Sequence, residues 1–155
     1  MSKKRIIFLI LAIAWMVMIF YFSAQTAEKS TGQSDEVSFI IGNIIYKDFD
    51  SWSIDRKAEF ADSVSSAVRK TAHMIEYGIL CFLWFEALGG IVLGIPFIIT
   101  VVYASTDEFH QRFVAGRTGK PADVLIDASG ALIVCAILAV VLFVKKRRTD
   151  RNANA

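Results

Sequence analysis

Cysteine and histidine are scarce in this chain, two of each in 155 residues. Cys81 and Cys135 both lie inside apolar runs, which excludes the disulfide framework of a small secreted domain and makes them small packing residues. Each stands twelve residues from the outer end of its run, at Arg69 and Asp123. With about 1.5 Å of helical rise per residue, that places both at mid-bilayer depth. Excess charge is also missing: the formal net charge is +2, and the basic residues sit at the two ends rather than on one face, which argues against nucleic acid as a partner. The chain has no Ser-x-x-Lys, Gly-x-Ser-x-Gly or phosphate-loop motif, no internal repeat and no low-complexity tract, so no specific chemistry or cofactor announces itself.

Hydrocarbon is abundant instead. Hydrophobic residues make up 55% of the chain and the mean hydropathy is +0.49, the composition of an integral membrane protein. Four apolar segments emerge, at about residues 6–22, 71–88, 91–106 and 124–144. The expected fold is therefore all-α, a single domain over 1–155 with four transmembrane helices. The first segment follows Lys3, Lys4 and Arg5 like a signal peptide, but it is long for one and lacks a clean small-x-small cleavage site, so it reads as a retained helix. Only the last comfortably spans a hydrocarbon core of about 30 Å; the middle two are short and need tilt, local thinning or protection by neighbours. Leu88-Gly89-Gly90 reads as a tight turn between them, with Gly94 and Pro96 bending the third helix near its start.

Lys3, Lys4 and Arg5 before the first helix, and Lys145, Lys146, Arg147, Arg148 and Arg151 after the fourth, predict that both termini are cytoplasmic. The loop over 24–68 carries eight acids against Lys29, Lys47, Arg56 and Lys57 and should face outward, as should the segment over 107–123. Within the long loop, Val37, Ile40, Ile41, Ile44 and Ile45 follow helical periodicity, predicting an outward amphipathic helix with Ser34 as its N-cap and Asp35 and Glu36 in its first turn. A second, weaker helix is expected over 54–68, leading toward the second membrane segment.

Ionisable groups gather where these helices should end outward. Charge beside hydrocarbon costs several kcal/mol unless it is paired, hydrated or used. Arg69, His73, Glu76 and Tyr77 share one helix face; Asp107, Glu108, His110 and Gln111 close the third helix; Arg117 follows in a turn-rich loop; Asp123 and Asp127 open the fourth. Asp123 also suits a partial N-cap. Asp127 continues through Ala131, Cys135 and Ala139, small residues that let another helix approach, so it points inward and needs a partner among Arg69, Lys70, Arg117 and His73. Ser23 and Gln25 end the first helix at the same mouth.

The segments Phe22-Ser23-Ala24-Gln25, Arg69-Lys70-Thr71-Ala72-His73-Met74-Ile75-Glu76-Tyr77 and Asp107-Glu108-Phe109-His110-Gln111-Arg112-Phe113-Val114-Ala115-Gly116-Arg117, followed by Asp123 and Asp127, resemble the VanZ-like family of bacterial membrane proteins over nearly the whole chain. The family's usual Pro-Gly-Arg is Ala115-Gly116-Arg117 here. The resemblance implies a small multi-pass protein of the bacterial cell membrane, in a family whose namesake lowers susceptibility to the glycopeptide teicoplanin. It supplies no reaction. The phosphotransbutyrylase label sometimes attached to the family requires cytosolic coenzyme A substrates, which the expected outward placement of the polar cluster disfavours.

Two classes of function remain open. In the first, the protein acts at the outer face on or with a cell-envelope component, a lipid-linked cell-wall component or a glycopeptide. Ser23, Gln25, Arg69, Lys70, Gln111, Arg117 and Asp123 would bind the ligand, the basic residues gripping phosphate. An enzymatic form, a hydrolase or transferase acting on a lipid-linked phosphate, would use His73, Glu76, Asp107, Glu108, His110 and Asp127, a histidine serving as general acid or base with Asp127 orienting it. In the second class the cluster is a non-catalytic network that fixes helix packing or contacts a partner. His73 and Glu76 have the spacing of a helical metal site, but Arg69 and Lys70 beside them would repel a cation, so no metal is expected.

Overall fold

The computed structural model describes residues 1–153 and is helical throughout, without strands among the described residues. Helix α1 spans Lys3–Ser23, α2 Ala27–Ile45, α3 Ile54–Ala87, α4 Gly94–Gln111 and α5 Pro121–Ala153, with one 3-10 turn at Phe49–Ser51 between α2 and α3. Ser2, Thr26 and Ser53 begin the first three helices, each side chain accepting a backbone N–H of the first turn, which satisfies donors the helix itself leaves unpaired. The amphipathic helix therefore starts at a Thr26 cap, eight residues before the expected Ser34. Ser34 is instead a buried interior residue of α2, its hydroxyl donating to the Ser30 carbonyl.

The expected weak helix over 54–68 and the second membrane segment are one continuous helix, α3, which touches each of the other four. Its first half packs on α2, and the residues buried there are small, Ala61 and Ser65 on α3 and Ser34 and Ser38 on α2, while Gly42 of α2 makes room for the Phe49 ring. The large apolar flank of α2, with Val37, Ile40, Ile44 and Ile45, stays exposed. Pro96 lies in the first turn of α4, where its missing N–H costs no helical bond. Asp123 falls inside the first turn of α5 rather than ahead of it.

The second half of α3 packs closely on α5. A Cβ at Gly130 would lie 1.9 Å from the Met74 carbonyl oxygen, so only glycine permits this backbone approach. One turn further, Cys81 and Cys135 face each other with their sulfurs 3.6 Å apart, beside buried Ala131, in keeping with the common depth inferred from their positions. Helix α1 is held to α3 by Trp15, whose Nε1 donates to the Glu76 carbonyl at 2.9 Å. At the opposite end of α3, Arg5 donates to the Ala87 and Leu88 carbonyls and Lys4 pairs with Glu86 at 2.7 Å. Tyr103 on α4 donates to the Met16 carbonyl at 2.6 Å.

Large apolar side chains point away from this bundle. Val17 on α1, Ile98 and Val102 on α4, and Ile137 and Val140 on α5 are each more than half exposed, the reverse of a water-soluble domain. Among the described residues two helices, α1 and α5, are long and apolar enough to cross a membrane. Toward one end of the bundle, α3 and α4 spend their length on polar groups, the ones that build the site below.

Gly130→Ala forces α3 and α5 apart and should cost about 1–3 kcal/mol of overpacking strain, read as a lowered thermal unfolding midpoint in detergent. Gly32→Ala, where a Cβ meets nothing within 4 Å, should hold or raise the midpoint through better helix propensity; equal effects of the two substitutions would refute the close-approach assignment.

Candidate functional site at the open end of the bundle

The ends of α1 and α4 and the interior of α3 converge on one carboxylate oxygen. Asp107 Oδ2 accepts hydrogen bonds from Ser23 Oγ of α1 at 2.7 Å, Tyr77 Oη of α3 at 3.0 Å and Gln111 Nε2 of α4 at 3.0 Å. Asp107 is 2% exposed, and hydrogen bonds of this charge-assisted kind each contribute about 1.5–3 kcal/mol. The i, i+4 spacing of Asp107 and Gln111 puts both on one face of α4.

Gln111 hands the network to the loop that follows. Its Oε1 accepts from Arg117 Nη1 at 3.2 Å, while Arg117 Nε donates to the Gln25 carbonyl at 2.8 Å and Nη2 to the Phe22 carbonyl at 3.3 Å. One guanidinium thus straps the 112–120 loop over the end of α1, and the Ala27 N–H bonded to the Ala115 carbonyl at 3.2 Å carries the tie into α2. Burial pulls the Arg117 pKa below its usual value, and the nearby Arg69 charge pulls it further, against the opposing pull of Asp107, Glu108 and Glu76.

Under this strap lies a cavity of about 450 Å³, within the size range of ligand pockets. Four basic residues line it, Arg69, Lys70, Arg117 and Lys120, together with Glu108, Asp123 and Asp127. At its inner wall His73 Nδ1 stands 3.5 Å from Asp127 Oδ1, so His73 is the partner Asp127 requires. Asp127 is 1% exposed and its Oδ2 has no protein partner. Two ion pairs exist among the described residues, Lys4 with Glu86 and His73 with Asp127; none of the four basic residues at the cavity belongs to either. No group of three His, Cys, Asp or Glu among the described residues is arranged to hold a metal ion.

A second cavity, of about 350 Å³, lies between the end of α1, α2 and α3. Arg69, His73 and Arg117 line both cavities, and Glu76 lines only the second. The structure therefore brings together most of the residues singled out from the sequence. Ser23 and Gln25 enter through the strap and the Asp107 network rather than through the larger cavity. His110 stands apart: its ring packs on Phe20 of α1 with centroids 4.6 Å apart, and it lines none of these cavities.

Sequence reading missed Lys120, Gly119 and the direct role of Tyr77. A Cβ at Gly119 would lie 1.9 Å from the Glu108 carbonyl oxygen, so glycine lets the loop fold back onto α4. That brings the Lys120 N–H to Glu108 Oε2 at 3.0 Å and the Gly119 carbonyl to Arg112 Nε at 3.3 Å. The available signal was the Gly-Lys-Pro run, which ends a loop just before a helix.

The VanZ/LLP1 family pattern matches residues 8–143, a stretch that contains both cavities and the whole hydrogen-bond network, and the chain belongs to that family. No curated protein and no solved structure matches it.

Burial raises the Glu108 carboxyl from an ordinary 4.5 to about 7, the Lys120 N–H offsetting part of the rise. The folded chain holds this proton more tightly than the unfolded chain does. Native stability is therefore lost as pH climbs from about 4.5 to about 7 and the loss is constant above that. Glu108→Gln keeps an acceptor for the Lys120 N–H and removes the titration, so its thermal midpoint should gain on wild type across that window and stay ahead above it. Parallel pH profiles for the two proteins would contradict the assignment.

Proposed function

We propose that this member of the VanZ/LLP1 family acts at the outer face of the bacterial cell membrane, binding the phosphate of a lipid-linked envelope component in the cavity beneath the Arg117 strap. One observation carries the reading: four basic side chains surround the cavity and no protein carboxylate pairs with them. Arg69 stands close enough to disfavour the charge of Arg117, and such a pair of guanidiniums forms an unbalanced site that an anion completes. Asp127 Oδ2, buried and without a protein partner, adds an acceptor for a donor group on the same ligand, such as a hydroxyl.

The reading takes the bundle as a four-pass membrane protein with both termini cytoplasmic. Support comes from the arrangement of its ends. Lys4 and Arg5 meet Glu86, Ala87 and Leu88 at one end, the same end to which the basic run over 145–151 belongs. The Asp107 network and both cavities occupy the other. An enzymatic form of the same reading, hydrolysis or transfer at a lipid-linked phosphate, is favoured by His73 and Asp127 meeting at the cavity wall: an imidazole oriented by a carboxylate is a proton-transfer pair. Teicoplanin tolerance, the property of the family's namesake, would follow from occupying or altering such a component.

In a host that gains teicoplanin tolerance from this chain, Arg69→Ala and Asp127→Ala should each abolish the gain while membrane abundance of the protein stays at the wild-type level. If tolerance falls only in proportion to abundance, the cluster is packing alone and the binding reading fails.

A further inference from the structure

The two cavities share Arg69, His73 and Arg117, so these three residues form a partition with a polar chamber on one side and a lateral groove on the other. The groove differs in character from the chamber. It is the less polar of the two: Phe22 of α1, Val37 of α2, and Val68 and Ala72 of α3 form apolar stretches of a wall that also carries Ser30, Gln33 and the carboxylates Glu36 and Glu76. Val37 on its α2 wall is itself exposed, and from it the unburied flank of α2 continues through Ile40 and Ile44, 60% and 79% exposed. Phe22 and Tyr21 are exposed on the α1 side of the opening. Apolar side chains therefore lead from the outside of the bundle to two guanidiniums that no carboxylate pairs with.

A free phosphate has no use for such a groove, and a neutral lipid has no use for the arginines. We propose that the groove between α1 and α2 seats the first part of the hydrocarbon chain of a single phosphate-bearing lipid, whose head group passes between Arg69 and Arg117 into the polar chamber. This inference rests on the anion-binding reading and narrows its ligand to an amphiphile that enters sideways from the bilayer rather than from the aqueous phase. The geometry is complementary end to end: the chain lies on Val37, Val68 and Ala72, the phosphate meets the arginines, and the rest of the head faces Lys70, Lys120 and the free oxygen of Asp127. The groove, at about 350 Å³, has the volume of a ligand pocket rather than of a packing defect.

Ala72 is an exposed wall of the groove that lines no part of the chamber, so Ala72→Trp fills the chain seat without touching the anion site. The test uses full-length protein in lipid nanodiscs, with a long-chain polyprenyl monophosphate and inorganic phosphate as probes. Displacing even two methylenes from an apolar seat costs about tenfold in affinity. Ala72→Trp should therefore weaken the polyprenyl phosphate about tenfold or more and leave inorganic phosphate unchanged, with Ser30→Trp repeating the effect from the α2 wall. Arg69→Ala should weaken both probes. If both tryptophan variants bind the polyprenyl phosphate like wild type while Arg69→Ala loses it, the chain seat is refuted and the anion site stands. If wild-type protein binds neither probe, the anion reading falls and this inference falls with it.

Discussion

One oxygen of an almost completely buried carboxylate, Asp107 Oδ2, collects three donors, while Oδ1 has no protein partner. Oδ2 draws Ser23, Tyr77 and Gln111 from three helices, so the ends of α1 and α4 cannot move independently of each other or of the middle of α3. Removing one donor would leave the charge short of a partner, at a cost of about 1–3 kcal/mol. The remaining connections extend this one. Gln111 passes the constraint to Arg117, Arg117 to the end of α1, and the loop to α2. The chamber exists because the loop is held over the bundle instead of collapsing into it.

The other end of the molecule is closed by simpler means. Arg5 caps the carbonyls at the end of α3 and Lys4 pairs with Glu86, while between the two ends small residues, with Gly130 at their tightest point, let α3 and α5 touch backbone to backbone. The bundle is thus rigid along α3 and α5 and at the Asp107 node. The cavity-lining basic groups are left free of ion pairs. Arg117 spends its guanidinium on the Phe22 and Gln25 carbonyls and on Gln111, as Arg5 and Lys4 are used up at the other end; the side chains of Arg69, Lys70 and Lys120 have no such protein partner among the described residues, and that contrast motivates the binding-site reading.

Much of this was legible in the sequence because membrane helices cannot hide polar residues. The shared face of Arg69, His73 and Tyr77, the inward direction of Asp127 and the common depth of Cys81 and Cys135 all follow from helical spacing within apolar runs. The start of α2 was misplaced because Ser34 followed by two acids imitates a cap, whereas Thr26 is followed by a less apolar turn. The run of the 54–68 helix into the second membrane segment was legible, but its first half read as weak because it is buried through Ala61 and Ser65, small residues with weak hydrophobic periodicity. The Gly-Lys-Pro run marks Gly119 and Lys120 as loop residues, but their contacts could not be read from it: these depend on the loop returning to the α4 backbone, a tertiary event. His110 shares a helix with Asp107 and Gln111 yet turns to Phe20, since three residues of separation already rotate a side chain some 60° from the starting face.

The account stands or falls on which side of the membrane the chamber faces. Cys81 and Cys135 are buried in the bundle, so a single added cysteine reports its own exposure. In intact cells a membrane-impermeant maleimide should label Thr118→Cys, on the loop lining the chamber, and should label Thr149→Cys, near the end of α5, only after the cells are permeabilised. Labelling of position 149 in intact cells with position 118 protected would contradict the outward-facing site and the function proposed from it.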